Sequence, residues 1–170
     1  MNVGEPLMEN SPANSNETII VGIGDFHLGT DVMSSIGLGS CVGLVIHDKE
    51  KGMGGLAHVM LPDSAGRTER PGKFADSAVD VLVNGLLEKG CRKSGMVAKI
   101  TGGASMFKSF SGNLNIGERN TAAIKENLKM KNIPLKAECI GGSVGRTVTY
   151  YPSDGGRVMV RQADGKKSEI

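Results

Sequence analysis

Hydrophobic residues in this chain fall into short runs separated by glycine-rich or charged breaks, and in two places the runs give way to helical spacing. Met1–Glu17 has no periodicity and is rich in Asn, Ser, Pro and Glu, which predicts a disordered lead-in. Thr18–Gly24 is a β-branched run, and Val32–Ile36 reads as a strand entering the turn Gly37-Leu38-Gly39-Ser40. Two apolar runs from Cys41 and from Met53 flank a polar break at KEKG, the pattern of a β-hairpin. Between Gly72 and Lys89, Ala75, Ala78, Val79, Leu82, Val83, Leu86 and Leu87 recur at helical spacing, with Gly90 as the stop.

Met96–Ile100 and Leu135–Ile140 predict further strands, and a second helix is expected over Glu118–Lys131, before Pro134. The alternating runs RTVTYY and RVMVR, around Pro152-Ser153-Asp154-Gly155-Gly156, predict a second hairpin. Gln162–Ile170 reads as a frayed polar tail, leaving one domain over Thr18–Arg161. Helices interrupt the strands without strict βαβ alternation, so the expected class is α+β, with mixed sheets and flanking helices.

Composition narrows the function more than the fold. The 20 Lys and Arg against 18 Asp and Glu leave a formal charge of +2, and the few aromatics are not interleaved with basic residues, which argues against nucleic acid as a partner. The 25 glycines, roughly twice ordinary usage, point to tight turns and close backbone approaches. Cys41, Cys91 and Cys139 are odd in number and far from metal-knuckle spacing, which suggests a reducing compartment and no structural metal. A basic leader followed by an apolar core is missing, as is any run near the ~18 apolar residues of a membrane span; a soluble cytoplasmic protein is expected, with no membrane insertion.

Gly37, Gly39 and Gly43 are spaced somewhat like a dinucleotide fingerprint, but the β-branched run VGLVIH follows them where a phosphate-binding helix is required. The first hairpin carries a sharper possibility. With a four-residue turn at Asp48–Lys51, residue 47 faces 52, residue 43 faces 56, and Cys41 faces His58, close enough for sulfur and imidazole to meet. An imidazole there would lower the thiol pKa and supply a nucleophilic thiolate, and Gly39 and Ser40 would leave room for substrate and for amides that hold an oxyanion. The alternative for Cys41 is a small buried strand residue. A one-residue bulge at Gly54-Gly55 would turn His58 to the opposite face. Cys91 and Cys139 have no nearby histidine and read as packing residues, His27 and His47 as surface or strand-end residues, and the Gly102-Gly103 and Gly141-Gly142 pairs as turns.

Five blocks, in order, narrow the choice: GLGSCVGLVIHD (37–48), GGLAHVMLPD (54–63), KITGGASMF (99–107), NIGERN (115–120) and GGSVGRTVTYY (141–151). Together they resemble the CheD family of chemoreceptor glutamine deamidases over about Thr18–Arg161. The resemblance implies hydrolysis of receptor glutamines to glutamate with release of ammonia, possible action on glutamyl methyl esters, no cofactor, and the CheC phosphatase as a partner. It also implies a β-sandwich with flanking helices, similar to the catalytic domain of cytotoxic necrotizing factor. By motif position the family's nucleophile falls on Cys41 and its base on His58. Its third catalytic residue, usually threonine, falls on Ser35, with Ser34 as a competitor.

Overall fold

The computed structural model describes residues 17–106 and 115–170. The predicted lead-in, apart from Glu17, and the end of the KITGGASMF block at Phe107 lie outside the described residues. Among the described residues ten strands form two five-stranded sheets. In one sheet the order is β1 (Ile19–Ile20), β3 (Met33–Leu38), β8 (Arg146–Tyr151), β9 (Arg157–Gln162), β10 (Lys167–Glu169); in the other it is β2 (Phe26–Gly29), β5 (Met53–Val59), β4 (Val42–Asp48), β6 (Met96–Gly102), β7 (Leu135–Ile140). Parallel pairs β1–β3 and β6–β7 sit among antiparallel ones, so both sheets are mixed and the expected α+β class holds.

Alternation along the central strand explains the layering. On one face of β4, Val42, Leu44 and Ile46 join Ala57 and Val59 of β5 in a core covered by α1 (Ala75–Glu88) and α2 (Ile116–Met130). On the other face, Val45 and Leu56 join Met33, Leu38, Val148, Tyr150, Val158 and Val160 in a second core between the sheets. All seven β4 residues are buried, as expected of a strand covered on both sides.

The expected α1 stripe is buried from Ala75 to Leu86, but Leu87 falls off it and is 41% exposed. Helix α2 begins two residues earlier than expected, because the Asn115 side chain accepts from the Glu118 amide at 2.9 Å and caps the first turn. Two segments depart from expectation. Phe26–Gly29, which carries no strand signal of its own, pairs with β5 as an edge strand, and the supposedly frayed tail returns as β10, antiparallel to β9. Strand pairing supplied by a neighbour overrides the polar composition of Lys167–Glu169. Among the described residues no helix is long and apolar enough to cross a membrane.

Candidate active site

The first hairpin forms, but not in the expected register. Asp48 pairs with Met53, so the loop is Lys49–Gly52, one position later than Asp48–Lys51. The Asp48 carboxylate accepts from the amides of Glu50 and Lys51, and Gly52 takes the left-handed conformation (φ 62°) that returns the chain. Every facing pair therefore slips by two residues, and His58 lies opposite Gly43, not opposite Cys41. A two-residue slip preserves the face. Cys41, two residues before Gly43, becomes the diagonal neighbour of His58 on the side that packs into the inter-sheet core.

Strand β3 of the opposite sheet reaches the same place. Ser35 Oγ lies 2.7 Å from both the Val21 carbonyl and His58 Nδ1, and Ser35 and His58 are completely buried. A hydroxyl has one proton. Because the carbonyl can only accept, Ser35 donates to Val21 and accepts from the Nδ1–H of His58. The proton of the neutral imidazole is thus held on Nδ1, leaving Nε2 as a bare lone pair; Nε2 is buried and makes no hydrogen bond among the described residues. Ser34, the competitor, points the other way, donating to the Val148 carbonyl at 2.9 Å and lying 3.3 Å from the Thr149 hydroxyl.

The turn that leads into Cys41 is held by its carbonyls. Gly39 accepts from the Ala104 amide and Cys41 from the Gly103 amide, each at 2.9 Å, and Ser40 accepts from the Asn120 side chain at 3.1 Å. Among the described residues the Ser40 and Cys41 amides have no hydrogen-bond partner. Gly39 and Ser40 are half-buried, as is Cys41.

Electrostatics corrects one expectation. Burial raises the Cys41 thiol pKa and lowers that of His58, the latter opposed by the negative charge of Asp25. No hydrogen bond joins the thiol to the imidazole among the described residues, and both shifts favour the neutral forms, against the lowered thiol pKa expected from sequence. His47 meets one of its two expectations: it lies near the end of β4 but is not a surface residue, being 5% exposed with Nδ1 2.6 Å from the Tyr150 hydroxyl. Cys91 is buried and its thiol pKa is pushed up to about 11 by burial and a hydrogen bond to Asp48. Cys139 is half-buried in β7, and His27 is paired with Asp31 at 3.2 Å.

Two contributors escaped the sequence reading. Gly102 and Gly103 form more than a turn: both have positive φ, a Cβ at Gly102 would run into the Cys41 carbonyl, and the Gly103 amide binds it. Asn120 lies within the NIGERN block, but nothing local to helix α2 announces that its side chain reaches two loops far away in sequence.

Comparison with known proteins shows the family. The family model described as CheD chemotactic sensory transduction matches residues 60–162. The chain is 48% identical over 144 residues to the probable chemoreceptor glutamine deamidase CheD of Clostridium botulinum strain Hall, covering 81% of this chain and 88% of that protein. It is 49% identical over 141 residues to the chemoreceptor glutamine deamidase CheD of Bacillus subtilis strain 168, covering 79% and 85%. The family-model match begins just after His58, whereas a span of 81% of 170 residues necessarily takes in Ser35, Cys41 and His58. With more than half of the chain matched by the model and about half of its residues identical to each of two relatives over most of their lengths, the chain belongs to the CheD family.

Proposed function

We propose that this protein hydrolyses the side-chain amide of glutamine residues in chemoreceptors, with Cys41 as nucleophile, His58 as base and Ser35 as the residue that orients His58. The observation that carries this reading is the unpaired His58 Nε2, fixed in its unprotonated form by Ser35 and set diagonally beside the half-buried Cys41. A neutral pair suits general-base chemistry. As Sγ attacks the carboxamide carbon, its proton passes to Nε2, and the carbonyl π electrons move to oxygen. The amides of Ser40 and Cys41, without a hydrogen-bond partner among the described residues, are the candidate oxyanion donors. The C–N bond then breaks, the imidazolium gives its proton to the departing nitrogen, and ammonia leaves a thioester. Water, deprotonated by His58, attacks the thioester, releasing glutamate and returning the proton to sulfur.

The substrate side chain projects from a large protein, and the approach to Cys41 suits one. Ile36, Met60 and Met106, 61%, 39% and 49% exposed, belong to the segments that enter the nucleophile turn, leave β5 and contact Gly39. An exposed apolar rim supports docking of a receptor surface. The family resemblance extends the reading to CheC as a partner on the same face, to a cytoplasmic setting, and to a fold akin to the cytotoxic necrotizing factor catalytic domain.

The test is mass spectrometry of a purified receptor cytoplasmic fragment before and after incubation with the protein, alongside an ammonia assay. A glutamine-to-glutamate mass change with matching ammonia supports deamidation. Loss of a methylene mass from methylated receptor makes the protein an esterase, and an unchanged receptor defeats both. CheC at saturation should inhibit the reaction; rates independent of CheC would separate the two surfaces.

A further inference from the structure

The two carbonyls bound by Asn120 belong to the two halves of the proposed machinery. Its Nδ2 donates to the Ser40 carbonyl at 3.1 Å and to the Met60 carbonyl at 3.0 Å. Ser40 immediately precedes the nucleophile, and Met60 follows the base by two residues, just past the end of β5. Both partners are carbonyl oxygens, so the amide must present its nitrogen to them, and its two hydrogens serve one each. The side chain is completely buried, and among the described residues its Oδ1 has no partner, so the residue keeps this orientation with an unsatisfied buried acceptor. A residue that served only to stabilise helix α2 would bond within the helix, as Asn127 does to the Ala123 carbonyl at 2.8 Å.

We infer that Asn120 is a positioning residue, a side-chain clamp that ties the peptide before Cys41 to the strand end after His58. Two consequences follow from the geometry. Fixing the Ser40 carbonyl fixes the Ser40–Cys41 peptide plane, and in a trans peptide the Cys41 N–H then points away from Asn120. That amide is one of the two left free of partners. Tying Ser40 and Met60 to one side chain also sets the separation of sulfur and imidazole, which no direct hydrogen bond fixes. The clamp rests on the deamidase reading for its effect on turnover, but not for its effect on the thiol.

Both effects are measurable. Asn120→Ala should lower kcat for ammonia release about tenfold to a hundredfold, the scale of a misplaced reacting group or a weakened oxyanion donor, with KM for the receptor fragment little changed. Asn120→Ser, which keeps one donor, should fall between, and Asn127→Ala should match wild type. Without substrate, the iodoacetamide reaction of Cys41 at neutral pH should slow in both His58→Ala and Asn120→Ala, and the double variant should react no more slowly than His58→Ala alone. If wild type releases no ammonia, the deamidase reading falls while this thiol cycle still decides the clamp. A folded Asn120→Ala with wild-type thiol reactivity, or with additive effects in the double variant, overturns it. Should Asn120→Ala fail to fold, Asn120→Ser with wild-type thiol reactivity does the same.

Discussion

The two ends of the hairpin β4–β5 carry nearly the same inventory and use it differently. Near the start of β4 are Cys41 and His58; at its other end are His47 and, packed beside Asp48, Cys91. At both ends burial raises the thiol pKa and lowers the imidazole pKa. At the far end, His47 meets the Tyr150 hydroxyl and the Cys91 thiol meets Asp48. At the near end hydrogen-bonding capacity is left over. Among the described residues the buried side-chain atoms without a partner are His58 Nε2, Asn120 Oδ1 and Arg146 Nε. All three belong to residues that hold or adjoin the turn leading into Cys41, Arg146 through the carbonyl of Gly102 at 3.2 Å. Residue type and pKa direction therefore do not distinguish the two ends; unsatisfied capacity does, and the proposed site lies at the end that has it.

The comparison is broken most simply by deleting each thiol. Cys41→Ala should abolish ammonia release, whereas Cys91→Ala and Cys139→Ala should retain it; a Cys41→Ala protein that still deamidates would move the chemistry elsewhere. Next in size is Ser35. Its removal deletes one hydrogen bond to a group that becomes charged, worth roughly 1.5 to 3 kcal/mol, so Ser35→Ala should slow turnover about tenfold to a hundredfold. Ser35→Thr should retain activity, and Ser34→Ala, whose hydroxyl faces Val148 and Thr149, should be silent.

A smaller effect separates the ends by pH. His58 must be neutral to accept a proton, and its pKa lies below the ordinary 6.5, so the acid limb of kcat/KM should fall below 6.5. The same sign applies to stability at both ends. His47 and His58 bind protons less readily when folded, so their contribution is complete above pH 6.5 and is lost as pH drops through the folded values. Denaturant midpoints between pH 7 and 5 would show the decline; a rise on acidification would reverse the sign. The smallest change in activity should come from Tyr150→Phe, which leaves His47 without its partner and should cost about 1 to 3 kcal/mol of stability with turnover unchanged. Lost turnover in a folded Tyr150→Phe protein would mean that the ends are coupled.

Much of this was legible in the chain. Helix α1 and the hairpin β8–β9 follow from periodicity and turn residues, and Ser35 meets His58, with Cys41 two positions before the residue that faces His58. The register of β4–β5 was not legible, because Asp48 serves equally as the first turn residue or as the last strand residue whose carboxylate caps the loop. Parity rescued the inference: the slip was even. Edge strands β2 and β10 were hidden because their order comes from partners, not from their own composition. Asn120 was invisible for a related reason, since both bonds it makes cross more than fifty positions of sequence.

The third residue of the site comes from the opposite sheet. Cys41 and His58 belong to a single local hairpin, which can form early in folding, whereas Ser35 reaches His58 only once the two sheets have stacked. Until then nothing on β3 chooses between the two tautomers of the imidazole, and Nε2 is as ready to carry the proton as to accept one. On the proposed reading the sandwich thus works as an assembly check: the imidazole is set as a base toward the thiol only once the two sheets have closed on each other.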